Sequence, residues 1–344
     1  MISSLSNLLS CDDQCFVAVS FFITNSEALR KLKAQWTLRN IEHSQVLEKS
    51  RDNVKAVPHE EFGGSIVLVD PFQLNKGFLA EVVVPLAFGM CICEQDSSLY
   101  VTSGTVLSQI KGGKCIREFD NSLFNDLHSL TPSASGNLLV TSTGVDAILE
   151  VDFDDTSYVY WDWFATENGY NTTGAGNKRH IDRERNYQQT ITTTPEHTTH
   201  INTALNDLPH RVLATLFHQG ELIEIDRESR QSRVILSGLK SPHNIRKRND
   251  GFMVCDTRAN RVLLLDEELC IERELKGDFD WVQDAVEIVD KNCYLIADSN
   301  NDRLVLLDRF GKKFSFMQYP ENSRKVAGME VMTATQARNI FLSS

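Results

Sequence analysis

His128, His200, His243 and Asp284 stand near the start of apolar segments that recur along the chain about every 40 residues. Neutral imidazoles and carboxylates are the usual protein ligands of zinc, iron and copper. Without a metal, a histidine can act as general base or nucleophile, because imidazole titrates near neutral pH without perturbation. The residue types therefore indicate a His/Asp centre, provided that the fold brings the segments together.

The repeated unit consists of a first strand, a tight turn, a second strand and a third strand that ends in Asp. The clearest second and third strands occupy residues 137–152, 211–226, 252–266 and 294–308, and weaker copies begin at Gly89 and Gly328. Four strands per 40 to 45 residues is typical of a β-propeller blade. The repeat predicts an all-β, six-bladed propeller. Aligning the first strands places six residues at one blade position: Met90, His128, His200, His243, Asp284 and Met329.

The last copy has only two strands, taken as residues 328–331 and 339–343. Residues 64–70 and 79–85 supply two further strands, so the ring is predicted to close by pairing both ends of the chain. This gives two regions: residues 1–61 as an N-terminal extension with an amphipathic helix, and residues 62–344 as the propeller.

First strands line the channel of a propeller, which brings equivalent positions together there. We therefore predict a divalent metal bound by His128, His200 and His243, with Asp284 as fourth ligand or general base. The residue types do not distinguish zinc, iron and copper. Met90 and Met329 are interpreted as core residues.

Residues 165–199 form a long irregular stretch that ends at His200, so it is expected at one mouth of the channel. From this loop, His197 and Glu196 are candidate catalytic residues. Three arginines are candidate binders of an anionic substrate group: Arg179, Arg183 and Arg185. Trp161 and Trp163 alternate on a fourth strand, which indicates packing between blades.

Near the N-terminus, Ala28, Leu29, Leu32 and Trp36 recur at helical spacing. They predict an amphipathic helix from about Ser26 to Lys49, followed by a linker over residues 52–62. This helix packs against the ring or forms a homodimer.

Composition excludes several classes of protein. The formal net charge of −12 argues against nucleic-acid binding, and no stretch approaches 18 apolar residues, which argues against a membrane span. The eight cysteines form no paired Cys-x-x-Cys sets, so buried free thiols are expected. Asp12 and Asp13 precede a short apolar run with no small-residue cleavage site. These features predict a cytoplasmic protein.

The segments 255–262 and 297–304 resemble the turns of NHL-type propeller repeats. The phrases Leu127-His128-Ser129, Thr199-His200-Ile201 and Pro242-His243-Asn244 resemble first strands of arylsulfotransferase-like six-bladed propellers. In that family, channel histidines bind and transfer a sulfuryl group, and the matching positions are His128, His200 and His243. The chain is also similar in ligand type to the peptide-amidating lyase, a propeller that holds zinc through three histidines.

Three hypotheses of function follow. The first is a metal-dependent hydrolase or lyase that acts on a small molecule in the channel. The second is group transfer with a histidine as covalent carrier and no metal, as the resemblance to arylsulfotransferases implies. The third is a non-catalytic propeller scaffold.

Overall fold

Six four-stranded antiparallel sheets make up the protein, which is a six-bladed, all-β propeller as the repeat predicts. The computed structural model describes residues 14–34 and 59–342. The predicted helix beyond residue 34 and the linker before residue 59 lie outside the described residues.

Five blades are formed by consecutive strands. Blade 1 contains β4 (Ala87–Ile92), β5 (Leu99–Ser103), β6 (Val106–Lys111) and β7 (Lys114–Asp120); blade 2 contains β8 (Leu127–Pro132), β9 (Leu138–Ser142), β10 (Ala147–Val151) and β11 (Val159–Phe164); blade 3 contains β12 (Ile201–Leu208), β13 (Arg211–Leu216), β14 (Glu221–Asp226) and β15 (Ser232–Leu236); blade 4 contains β16 (Pro242–Arg248), β17 (Gly251–Asp256), β18 (Arg261–Leu265) and β19 (Ile271–Lys276); blade 5 contains β20 (Val282–Ile288), β21 (Cys293–Asp298), β22 (Arg303–Asp308) and β23 (Lys313–Gln318).

Burial explains why the second and third strands give the clearest signal in the sequence. Every residue of β9 and β10 is buried, because neighbouring blades cover both faces of these strands. Such strands read as continuous apolar runs. The fourth strands form the outer edge, and β7 exposes six of its seven residues, so the fourth strands carry a much weaker signal.

Blade 6 joins both ends of the chain. Its strands, from the channel outward, are β24 (Lys325–Thr333), β1 (Cys15–Ile23), β2 (Ser65–Val69) and β3 (Ala80–Val83). Val19 of β1 pairs with Met329 on one side and with Val67 on the other. The pairing removes the open sheet edge that an incomplete ring would expose.

The second strand of blade 6 differs from the prediction. Of the predicted strand 339–343, the described residues 339–342 do not form it. The chain after β24 turns into a helix, Ala334–Phe341, whose N-terminus is closed by a reciprocal capping box between Thr333 and Gln336. Because β1 takes that place, residues 15–23 belong to the ring, and assigning residues 1–61 wholly to an extension is wrong for this strand.

The helix predicted from Ser26 is present over residues 26–34. The Asn25 side chain accepts hydrogen bonds from the backbone N–H groups of Glu27 and Ala28, which caps its first turn. Ala28 and Leu29 are buried against Ile23 and Phe62, so this part of the helix packs on blade 6.

Trp161 and Trp163 of blade 2 contact blade 3. The indole N–H groups of Trp161 and Trp163 donate to the backbone carbonyls of Arg227 and Arg230 in blade 3. This confirms a packing role for both.

The cysteines form no disulfides within the described ranges. The seven cysteines of the described ranges are free, and Cys91, Cys93 and Cys255 are buried. Within the same ranges, no helix is long and apolar enough to cross a membrane.

Candidate functional site at the channel mouth

Each inner strand contains a β-bulge at the same place, and this fixes which residues are equivalent. In blade 2, Leu127 pairs with Ser142 and Leu130 pairs with Val140, so three residues on the inner strand oppose two on the next. The same step occurs in all six blades.

The strand pairing around this bulge shows that the six residues aligned from the sequence are not all equivalent. His128 and His243 are equivalent, but His200 lies two positions earlier, because Ile201 pairs with Leu216 as Leu127 pairs with Ser142. Asp284 lies one position later than the two equivalent histidines. The true equivalents of His128 and His243 in the other blades are Phe88, Asn202, Gln283 and Ala327.

His200 instead shares its position with residues that begin the inner strands in a left-handed conformation. Five of the six have positive φ: Leu86, Asp126, His200, Ser241 and Trp281. The sixth residue, in blade 6, is Lys325. A left-handed residue turns the chain sharply at the channel rim, and for a residue other than glycine it needs support from its surroundings.

For His200, this support comes from Asp146, a fully buried residue of blade 2. Asp146 accepts hydrogen bonds from the backbone N–H groups of Thr198 (2.8 Å), Thr199 (2.8 Å) and His200 (3.2 Å). The guanidinium of Arg179, from the long loop, forms an ion pair with the same carboxylate. The end of the loop is therefore fixed to blade 2, and the His200 ring is held at the mouth.

Asp126, His197 and His200 form a compact group that we call the mouth cluster. Each offers one ligand atom, and these three atoms lie within 4.8 Å of one another. The Nδ1 atoms of His197 and His200 are 2.7 Å apart, and Asp126 Oδ2 lies 3.8 Å from His197 Nε2. In the described part of the chain, this is the one group of three or more His, Cys, Asp or Glu side chains with metal-ligand spacing.

His128 adjoins the mouth cluster without belonging to it. Its ring centroid lies 4.8 Å from that of His200, and its other neighbour is the stacked ring of Phe88. Nδ1 donates to the backbone carbonyl of Asp126 at 2.9 Å. A carbonyl can only accept, so this tautomer leaves Nε2 as a proton acceptor.

His243 is separated from the mouth cluster by an aromatic ring. The Phe217 ring centroid lies 5.0 Å from that of His200 and 5.4 Å from that of His243. His243 Nδ1 contacts the Ser241 carbonyl and the Thr257 hydroxyl. The structure therefore does not gather His128, His200 and His243 around one point.

Burial keeps the imidazoles of His197, His200 and His243 neutral. It lowers the pKa of His200 well below its usual value, and the neighbouring imidazoles reinforce the shift. Burial likewise lowers the pKa of His197, against the opposing charges of Asp126 and Asp146, and brings the pKa of His243 to about 3. At neutral pH all three present lone pairs, the form that ligates metals or accepts protons.

Asp284 is not part of the mouth cluster. Its fully buried carboxylate forms a two-pronged ion pair with Arg246, at 3.0 and 2.7 Å, and accepts the backbone N–H groups of Ala285 and Met329. These four contacts occupy the acceptor capacity of the carboxylate. The predicted role as fourth ligand or base is replaced by one in holding blades 4, 5 and 6 together.

Glu196 and the three loop arginines make contacts within the long loop or between this loop and blade 2. Glu196 accepts the backbone N–H and the hydroxyl of Thr193, which closes a short turn. Arg179 is bound to Asp146 as described above, and Arg183 pairs with Asp162 and Glu167. Arg185 stacks over Tyr187, beside a loop cavity of about 470 Å³.

Asp126 is the functional candidate that the sequence analysis missed. It directly precedes the Leu127-His128 phrase, and its position matches that of His200 once the bulge is known. Trp281 and Asn202 were also missed, because their positions in the blade become clear only from the strand pairing. The available sequence signal is weak: the residue at the start of the inner strand is polar or aromatic in five blades, and it is Leu86 in the sixth.

Further along the inner strands the channel opens into a cavity of about 290 Å³. Its wall includes His128, Arg246 and Glu330 together with apolar residues of the inner strands. The channel is therefore wide enough for a small molecule beyond the mouth cluster.

Comparisons with known proteins support the fold. No protein-family model matches the sequence, and no curated protein matches it. Among solved structures, a protein of unknown function from Bacteroides caccae is 14% identical with a TM-score of 0.53, covering 78% of this chain and 94% of its own. A chain of a nidogen–laminin complex is 11% identical with a TM-score of 0.51, with the same coverage of both chains.

Virginiamycin B lyase from Staphylococcus aureus, 9% identical, has a TM-score of 0.47 and covers 70% of this chain and 73% of its own. That similarity is too low to support an argument about this chain. At these identities, the comparisons place the chain among β-propellers by fold and assign no activity.

Proposed function

We propose that this propeller is an enzyme that acts on a small molecule at the channel mouth, with a divalent metal held by Asp126, His197 and His200. The observation that carries the proposal is the convergence of their three ligand atoms within 4.8 Å. The three residues come from two blades and a loop that a buried ion pair holds in place. Hydrolase or lyase chemistry suits such a centre best.

The residues fit the requirements of a catalytic metal. Two neutral imidazoles and one carboxylate are a ligand set used for zinc and for non-haem iron, and three protein ligands leave a position open for substrate. The Nδ1 atoms of His197 and His200 are 2.7 Å apart, so the donor atoms of two of the three residues that would hold the metal already adjoin. When bound, the metal would polarise a substrate oxygen or activate water.

His128 is placed to move a proton beside this centre. Its ring adjoins that of His200, and the hydrogen bond from Nδ1 to the Asp126 carbonyl leaves Nε2 to accept a proton from substrate or water. We therefore assign general-base catalysis to His128 in place of Asp284, Glu196 or His197.

A metal-free alternative rests on the same short contact. His197 Nε2 lies 3.3 Å from the carbonyl of Thr192, to which it can donate. In that tautomer, His197 Nδ1 accepts the Nδ1 proton of His200 and leaves His200 Nε2 as the nucleophile. Such an oriented pair is the arrangement that histidine-mediated group transfer needs.

Titration with Co²⁺ distinguishes the two functions. Bound to nitrogen and oxygen ligands, Co²⁺ gives visible absorption that reports its geometry, and we expect saturation at about one ion per chain. His197→Ala should abolish the signal, while His243→Ala, a buried histidine outside the mouth cluster, should retain it. Absence of a Co²⁺ signal in the wild-type protein, together with covalent labelling of His200 by an activated donor, would favour group transfer.

A further inference from the structure

At the rim of the channel, one arginine lies within cation–π distance of two aromatic rings. The guanidinium carbon of Arg258 is 5.7 Å from the ring centroid of Phe217 and 5.4 Å from that of Trp281. In the described ranges, no carboxylate pairs with this guanidinium, although arginines elsewhere in blades 4 and 5 do have such partners, Arg246 with Asp284 and Arg303 with Asp298. Its donors remain available to a ligand.

We propose that Arg258 binds an oxyanion group of the substrate, a carboxylate or a phosphate, while another part of the same molecule reacts at the mouth cluster. The inference rests on the proposed function, because it names the class of substrate for that site. A planar guanidinium with two parallel N–H donors matches these oxyanions, and stacking on aromatic rings fixes its plane.

Phe217 connects the proposed anion subsite to the mouth cluster. Its ring centroid lies 5.0 Å from that of His200 and 5.7 Å from the Arg258 guanidinium carbon. A single small molecule can therefore reach both sites. The Phe217 and Trp281 rings would cover the apolar body of such a molecule and restrict its orientation.

The neighbouring charges favour Arg258 over Lys325 as the residue that binds an anion. Lys325 Nζ lies 5.8 Å from the Trp281 ring centroid, but it donates to Asn300 Oδ1 at 2.8 Å and has Asp280 and Asp302 nearby. Burial lowers the pKa of Lys325 to about 7, so its charge is only partly present at neutral pH.

Asn202 carries an unpaired buried amide oxygen on the inner strand that follows His200. Its side chain is 3% exposed, and its Nδ2 donates to the Pro242 carbonyl, yet its Oδ1 has no hydrogen-bond partner. A buried amide oxygen left unpaired is costly. Asn202 is equivalent to His128 and His243, so this unpaired oxygen belongs to an inner strand of the channel wall.

The test measures binding of inorganic phosphate and of benzoate by calorimetry. We expect wild-type protein to bind at least one of the two probes, and the stronger one identifies the oxyanion. Arg258→Ala should weaken that binding about 10- to 100-fold, because a charge-assisted, two-pronged contact is lost. Arg258→Lys should weaken it less, since the charge remains without the fork.

Arg309 provides the matched control, because its guanidinium also stacks on an aromatic ring, Phe310, but in a blade 5 turn on the outer edge. Arg309→Ala should leave both affinities unchanged. His200→Ala separates the anion subsite from the metal site: it should lose metal and still bind the anion through Arg258. If the anion were lost in His200→Ala and kept in Arg258→Ala, or if wild-type protein bound neither probe, the inference would be wrong. If wild-type protein bound the anion but no metal, only the proposed function would fail.

Discussion

The carboxylate of Asp146 accepts the backbone N–H of His200 at 3.2 Å, although one lies in a turn of blade 2 and the other begins blade 3. Asn260 does the same between blades 4 and 5, where its Oδ1 accepts the backbone N–H of Trp281 at 2.8 Å. Both acceptors have positive φ. A left-handed turn residue in one blade thus fixes the start of the next inner strand, and with it the side chain at the channel mouth.

Arg179→Ala should release the long loop. The ion pair with Asp146 is almost fully buried, and its loss leaves a buried carboxylate without its charge partner. We expect new protease cleavage within residues 165–199 and about 10-fold weaker metal binding. Arg183→Ala is the control, since its ion pairs with Asp162 and Glu167 are much more exposed than the Arg179–Asp146 pair and are therefore worth less. Equal protease resistance of both variants would show that Arg179 does not anchor the loop.

Asp284→Asn should destabilise the fold and leave metal binding intact. The substitution breaks a buried ion pair with Arg246, which costs about 3–5 kcal/mol of the free energy of unfolding. Denaturant unfolding measures that loss, and metal titration of the folded variant measures binding. Loss of metal with unchanged stability would return Asp284 to the ligand set.

Glu330→Gln should remove part of the pH dependence of stability. Burial raises the pKa of Glu330 to about 7, against the positive charge of Arg246. Between the ordinary value near 4.5 and about 7 the folded state binds more protons than the unfolded state, so the free energy of unfolding falls as pH rises.

At pH 8, Glu330→Gln should be more stable than wild type by on the order of 2 kcal/mol, and near pH 4.5 the two should be equal. The comparison between the two proteins cancels the opposite effect of the buried histidines. Parallel stability curves for both proteins from pH 4.5 to 8 would contradict this expectation.

Phe21→Ala should test the closing blade. Phe21 lies in β1, is fully buried and packs edge-on against Phe78 and Tyr319, so it joins blade 6 to blade 5. We expect a loss of about 3–5 kcal/mol in the free energy of unfolding. Phe314→Ala, at an edge position that is 67% exposed, should change it by less than about 0.5 kcal/mol. If both substitutions changed the free energy of unfolding by similarly small amounts, β1 would add little to the stability of the ring.

The six blades could be predicted because the second and third strands are buried on both faces and repeat at a fixed interval. Residues 15–23, which form β1, were instead assigned to the N-terminal extension. Residues 16–21 are all buried, so the strand lacks the alternation that marks a half-exposed strand, and its partners β24 and β2 are distant in sequence.

The site was predictable in part. Histidines at the channel mouth follow from the repeat, but the sequence alignment placed His200 two positions and Asp284 one position away from their true equivalents. Only the strand pairing shows which residues of neighbouring blades correspond. The role of Asp284 depends on Arg246, which belongs to another blade. Likewise, Asp126 becomes a candidate ligand only when the loop brings His197 back to it.

Metal content of protein purified without an affinity tag tests the central claim most directly. Mass spectrometry of the elements should find about one zinc or iron per chain in the wild-type protein and none in His200→Ala. His243→Ala, checked for folding by its melting temperature, should keep its metal. A wild-type protein without metal after purification and after incubation with zinc or iron, or a metal that persists when Asp126, His197 and His200 are all replaced, would contradict the account.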